Sequence, residues 1–284
     1  MHGILQRIMI YAGVIVALYV FVVAMMYLGQ RKLLYHPSRT LGTPAAHGIA
    51  EVVPIKLKST DGLTITSWFR AAGTNKPILV YFHGNAGNVG DRASKVRPFL
   101  DAGYGILLVG YRGYGLNSGS PTEAGLYADA ATALDFLMRT EIAPDHWILY
   151  GESLGTAVAV EMAVRFAKST PVGAVVLEAP FTSMIDAAKS HYPYIPVNLL
   201  LLDRFETIAK IRHIDSPLFI FHGSADATVP QTLGKRLFDE AADPKSAKWI
   251  DGAGHSNLYE YGADKDVLDF IKRKRSKGVG KVKN

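Results

Sequence analysis

The sequence predicts an α/β fold, with a mostly parallel central sheet covered by helices on both faces and one long apolar helix ahead of it. Three observations lead there. Short apolar runs at 78–82, 106–109, 147–150, 172–177 and 218–221 recur between longer stretches of helical character. These runs are apolar on successive residues, as in strands buried on both faces of a parallel sheet. Residues 8–28 carry no charge and are almost wholly aliphatic.

That last run is read as a single-pass transmembrane anchor. Its 21 residues would span about 31 Å as an α-helix, against roughly 30 Å of hydrocarbon. It is longer than the apolar region of a cleaved signal, and no small-x-small pattern follows. Arg7 precedes it; Arg31, Lys32 and Arg39 follow. The balance of positive charge leans toward a cytoplasmic catalytic domain.

Residues 29–50 contain Gly42, Pro37, Pro44 and Gly48 and read as linker and lead-in. Segments 51–58 and 63–70 alternate polar and apolar residues around Asp61-Gly62, which predicts a hairpin. A domain over 51–271 then follows, with helices at 122–139, 154–167, 232–242 and 264–272. Residues 181–214 break the alternation between the sixth and seventh strands and read as a small cap. Within it, His191, Tyr192, Tyr194 and Leu199 are candidate substrate contacts.

Charge is uneven. The chain carries a net +6, yet residues 272–284 hold seven Lys and Arg and no acid, so the remainder carries −1. A nucleic-acid-binding body should spread its basic groups over the fold, so that class is excluded. The tail reads as a disordered end whose charge also suits anionic lipid. There are no cysteines, which removes disulfides, thiolate metal sites and a Cys nucleophile. No His/Asp/Glu cluster has metal-site spacing. Neither glycine-rich nucleotide fingerprint is met by Gly84, Gly87 and Gly90. No cofactor or metal is expected.

The chemistry lies in three separated motifs. Gly151-Glu152-Ser153-Leu154-Gly155 follows a predicted strand and opens a predicted helix. A serine on that tight turn is projected at the top of the sheet beside a helix N-terminus, where the Leu154 N–H can face an oxyanion. A serine alcohol needs a base, and His255 on the Gly252–Gly254 loop is the candidate. Asp226, after strand 218–221, is favoured to orient it, with Glu178 as rival and Asp251 as a loop-closing group. His83-Gly84-Asn85 follows strand 78–82, and the Asn85 N–H is the second candidate oxyanion donor. Arg112, in Tyr111-Arg112-Gly113-Tyr114-Gly115, is read as a loop clamp in preference to an anion contact.

Together with Leu33-Leu34-Tyr35-His36-Pro37 and Gly254-His255, these motifs resemble the membrane-anchored α/β hydrolases related to eukaryotic membrane-associated protein depalmitoylases and their bacterial homologues. The resemblance runs over residues 33–271. It implies an α/β-hydrolase fold, Ser153, Asp226 and His255 as a triad, and Asn85 and Leu154 as oxyanion donors. Gly110 departs from the group, which has Asp or Asn before Tyr-Arg-Gly. The implied activity is hydrolysis of carboxylic esters or thioesters of an acylated small molecule, lipid or protein. An amidase or peptidase, or a non-catalytic binding protein on the same fold, are the alternatives.

Overall fold

In the computed structural model, which describes residues 2–279, eight strands form one sheet in the order β8-β7-β6-β5-β3-β4-β2-β1. In chain order these are β1 (Val53–Lys58), β2 (Thr64–Arg70), β3 (Ile78–Phe82), β4 (Gly105–Val109), β5 (Trp147–Glu152), β6 (Ala174–Glu178), β7 (Leu218–Gly223) and β8 (Lys245–Ile250). The β1–β2 hairpin is antiparallel and joins β4 through an antiparallel edge; every other pairing is parallel.

Strand periodicity accounts for two cores. Along β3, Ile78, Val80 and Phe82 face one side, packing in a cluster with residues of α3 (Glu123–Arg139), α4 (Leu154–Ala167) and α7 (Gln231–Glu240). Leu79 and Tyr81 face the other, in a cluster with α2 (Ala93–Asp101) and α8 (Ala263–Val279). Both faces are thus covered. The continuously apolar strands require this, because an uncovered face would leave such residues in water.

Two elements escaped the sequence reading. Helix α2 carries Pro98 in its interior, a residue that ordinarily ends a helix. Strand β8, Lys-Ser-Ala-Lys-Trp-Ile, lies at the sheet edge and is mostly half-buried, so it lacks the apolar run that marks its neighbours. Two further expectations change. The basic stretch after residue 271 continues α8 as helix to Val279, while residues 280–284 lie outside those described. The lead-in is not all irregular either. Helix α1 runs from His2 to Leu34, well beyond 8–28, and has no fully buried residue.

The last turns of α1 dock on the cap, which lies between β6 and β7 and contains α5 (Met184–His191) and α6 (Val197–Leu200). Arg31 pairs with Asp203 at 2.9 Å. Gln30 donates to the Leu200 carbonyl at 3.2 Å and accepts from the Leu202 N–H at 2.8 Å. Below the helix, His36–Pro37 pairs in parallel with Ala86–Gly87, tying the lead-in to the loop after β3.

Candidate active site

Strand β5 turns into α4 within one residue, and that residue is Ser153, at φ 51° and ψ −117°. Such a backbone is costly for a residue with a Cβ. It is imposed by close packing on both sides: a Cβ on Gly155 would collide with the Phe82 carbonyl, and one on Gly151 with the backbone of Gly155 and Thr156. The two glycines let the helix start directly over β3, which leaves Ser153 at the carboxyl end of the sheet.

His255 comes from the loop after β8. Its Nε2 lies 3.0 Å from Ser153 Oγ and its Nδ1 lies 2.7 Å from Asp226 Oδ2. Asp226 sits in the turn after β7, where its Oδ1 accepts the Thr228 and Val229 N–H groups at 2.9 and 2.8 Å. Burial works to raise the Asp226 carboxyl, but hydrogen bonds from His222 and His255 outweigh it and hold the group well below the usual carboxylate range. Asp226 is therefore an anion throughout the neutral range, suited to stabilise a protonated imidazole at His255.

The rival acids are engaged elsewhere. Glu178 is fully buried, with Lys95 on one carboxylate oxygen and the Tyr150 hydroxyl 2.6 Å from the other. Lys95 also approaches Glu152, which pairs with Arg92 at 2.9 Å and accepts from Tyr81 at 2.7 Å. Burial opposes ionisation of Glu152, yet Lys95 and Arg92 prevail and hold it down at about 2. Through Glu152, the neighbour of Ser153, this charged cluster braces the turn between β5 and α4. Asp251 accepts from Ser224 at 2.9 Å and closes its own loop. Arg112 clamps its loop through Asp129 and Asp61, at 2.8 and 2.6 Å.

Asn85 is held by three bonds that fix its peptide. Its carbonyl accepts from His36 N–H at 2.9 Å and Tyr114 OH at 2.7 Å, and its side chain donates to the Leu34 carbonyl at 2.8 Å. Leu154 is the first residue of α4, where backbone N–H groups have no partner within the helix. Asn85, Ser153 and Leu154 all line one chamber of about 360 Å³.

The rest of that chamber is largely apolar. The cap supplies Met184, Val197, Leu200 and Leu201, together with His191 and Tyr192. His191 also donates to the Thr228 carbonyl at 2.8 Å, which joins the cap to the Asp226 turn. Tyr194 and Leu199, expected beside substrate, do not line the chamber. On the single turn of α6, Val197 and Leu200 face inward, so Leu199 faces out. One wall was missed altogether: Met26, Tyr27, Gln30, Leu33 and Leu34 of α1 line the chamber beside the cap. Only Gln30, a lone amide just beyond an apolar run, hinted at a role for that segment.

Comparison with known proteins agrees with this architecture. Residues 77–200 match the family model described as alpha/beta hydrolase fold. An uncharacterized protein of Mycobacterium tuberculosis is 35% identical over 255 residues, covering 89% of each chain. The human alpha/beta hydrolase domain-containing protein 17B is 34% identical, over 72% of this chain and 69% of its own. The lysophosphatidylserine lipase ABHD12 of Danio rerio is 33% identical over 70% of this chain, which spans 56% of that lipase. Among solved structures, an alpha-beta hydrolase from Vibrio vulnificus superposes with a TM-score of 0.70 at 21% identity, over 89% of this chain and 93% of its own. An esterase from Pyrococcus furiosus gives 0.64 at 17% identity, over 84% and 98%. With this sheet order, a serine at the β5–α4 turn and relatives aligned along most of its length, the chain belongs to the α/β-hydrolase family.

Proposed function

We propose that the protein is a membrane-anchored serine hydrolase that cleaves carboxylic esters or thioesters bearing an acyl or lipid-like group. The observation that carries this reading is the continuous hydrogen-bonded chain Ser153–His255–Asp226 at the floor of a chamber walled by apolar side chains. His255 takes the Ser153 proton as Oγ attacks the acyl carbon. The Asn85 and Leu154 N–H groups stabilise the oxyanion of the tetrahedral intermediate. Collapse breaks the bond to the leaving alcohol or thiol, which receives the proton from His255, and leaves an ester on Ser153. Water, deprotonated by His255, then attacks that ester, and the proton returns to Ser153 as the acid departs.

The largely apolar chamber suits the acyl part of such an ester or thioester. Helix α1 is long and apolar enough to cross a membrane, and the docking of its last turns on the cap supports a chamber that opens beside that membrane. The name of one relative, a lysophosphatidylserine lipase, agrees with a lipid-like substrate.

The test is turnover of p-nitrophenyl esters and acyl thioesters of graded chain length by the full-length protein in detergent. Ser153→Ala is expected to reduce turnover by at least a thousandfold while the protein stays folded. Turnover that is equal in the variant and the parent would overturn the mechanism.

A further inference from the structure

We infer that residues 192–202 of the cap form a second membrane-seated element, immersed beside α1 in the same leaflet of a lipid bilayer. Four independent features of this segment point there.

The first is composition. Between His191 and Asp203 the chain reads Tyr-Pro-Tyr-Ile-Pro-Val-Asn-Leu-Leu-Leu-Leu, with no charged residue and one amide. The second is exposure. Tyr194 and Leu199 are 86% and 85% exposed, and Tyr192 and Leu202 are also open. Residues that large and that apolar, grouped on one projection, mark a surface meant for something other than water.

The third is position along α1. Gln30 bonds to Leu200 and Leu202, and Tyr19 donates its hydroxyl to the Tyr194 carbonyl at 2.8 Å. The cap segment therefore lies along the helix from Gln30 back to Tyr19, about 16 Å at roughly 1.5 Å per residue. Tyr19 lies nine residues inside the Leu28 end of the uncharged run, about 13 Å along the axis. Whatever solvent surrounds Tyr19 also surrounds Tyr194. The Arg31–Asp203 pair closes both elements at one level, where each chain regains charge.

The fourth is the state of the backbone. A segment in hydrocarbon must satisfy its own polar groups. Pro193 and Pro196 have no N–H to satisfy, and the Tyr192, Ile195, Val197, Leu199, Leu201 and Leu202 N–H groups all donate within the protein. The Tyr194 and Leu200 carbonyls accept from α1 side chains. The chamber containing Ser153 is thus walled on two sides by elements that reach the leaflet.

The absence of cysteine from the sequence makes the test direct. Single-cysteine variants Leu199→Cys, Tyr194→Cys and Lys168→Cys are labelled with an environment-sensitive fluorophore and reconstituted as full chains in phosphatidylcholine–phosphatidylglycerol vesicles. All carry Ser153→Ala, so the outcome does not depend on the hydrolase reading. Lys168 is exposed and follows the far end of α4, some 21 Å from the nucleophile turn. Labels at 194 and 199 are expected to emit to the blue of the label at 168. Spin-labelled acyl chains should quench them at least threefold more than it, and aqueous iodide at least threefold less. Labels at 194 and 199 that iodide reaches as readily as the one at 168 would overturn the inference, whether or not the parent protein hydrolyses esters.

Discussion

His222 shares the carboxylate of Asp226 with His255: its Nε2 lies 3.1 Å from Asp226 Oδ2, the same oxygen that holds His255 at 2.7 Å. Nε2 also faces the Val229 carbonyl at 2.9 Å. Both neighbours are acceptors, so Nε2 carries the proton and His222 is a donor that fixes the acid. Gly234 of α7 packs against the other ring nitrogen, where a Cβ would collide. His222 therefore positions Asp226 without touching substrate. His222→Phe keeps an aromatic ring, somewhat larger than imidazole, and removes the donor. It should lower kcat about tenfold with KM unchanged, because the Thr228 and Val229 N–H groups still hold the other oxygen. Asp226→Asn should cost far more, roughly a thousandfold or greater, because it fails to stabilise the protonated base. Steady-state kinetics on a soluble short-chain ester checks both. Equal losses in the two variants would mean that His222 does more than hold the loop.

The strained backbone of Ser153 gives a stability prediction of opposite sign to its effect on activity. At φ 51° and ψ −117° an L-residue is destabilised by about 1–3 kcal/mol, which glycine escapes. Ser153→Ala and Ser153→Gly both remove the hydroxyl, so the difference between them isolates the strain. The glycine variant should be more stable than the alanine variant by about 1 kcal/mol after its greater unfolded-state entropy is counted. Denaturant midpoints in one detergent measure this. A less stable glycine variant would show that the turn carries no strain.

Much of this arrangement is legible in the sequence. The strands at 78–82 and 147–150 and the helix 154–167 were visible because buried parallel strands and a glycine-flanked turn leave dense local signals. The placement of Asp226 and His255 beside Ser153 was inferable from what precedes each: a strand, a turn, a glycine-rich loop. The wall formed by Met26 and Leu33 was not, because the contact joins segments more than 150 residues apart and an anchor looks the same whether or not it docks. Tyr194 and Leu199 were assigned to the chamber for a related reason. Apolar residues on a short cap helix carry no mark of which side faces in until the helix is placed.

Chamber volume should govern acyl-chain choice. Ala188 lines the chamber on α5 beside His191 and Tyr192. Ala188→Trp adds a large ring to a space of about 360 Å³ without touching Ser153, His255 or Asp226. Hydrolysis of a two-carbon acyl ester should change less than twofold, whereas that of a twelve-carbon ester should fall at least tenfold. A uniform loss across chain lengths would instead indicate a displaced cap.

His83 makes acid sensitivity begin above the carboxylate range. The imidazole is buried against Tyr111 and Tyr114, and Nδ1 donates to the Gly84 carbonyl at 2.8 Å. Burial, and then the charge of Arg92, push it down to about 3 from an ordinary 6.5. Between those values the unfolded chain binds a proton that the native chain refuses, so stability falls as pH falls through that window. Glu152, held at about 2 against an ordinary 4.5, acts in the same direction but only below 4.5. The interval from pH 6.5 to 4.5 therefore belongs to His83 and not to Glu152. His83→Gln should flatten the decline there by about 1 kcal/mol per pH unit, approaching the limit of about 1.4 for one proton. Glu152→Gln should leave the slope in that interval unaltered and change it only at lower pH. Urea midpoints of the three proteins across pH 4 to 7 decide the matter, and a slope in the upper interval unaffected by His83→Gln would remove His83 as its source.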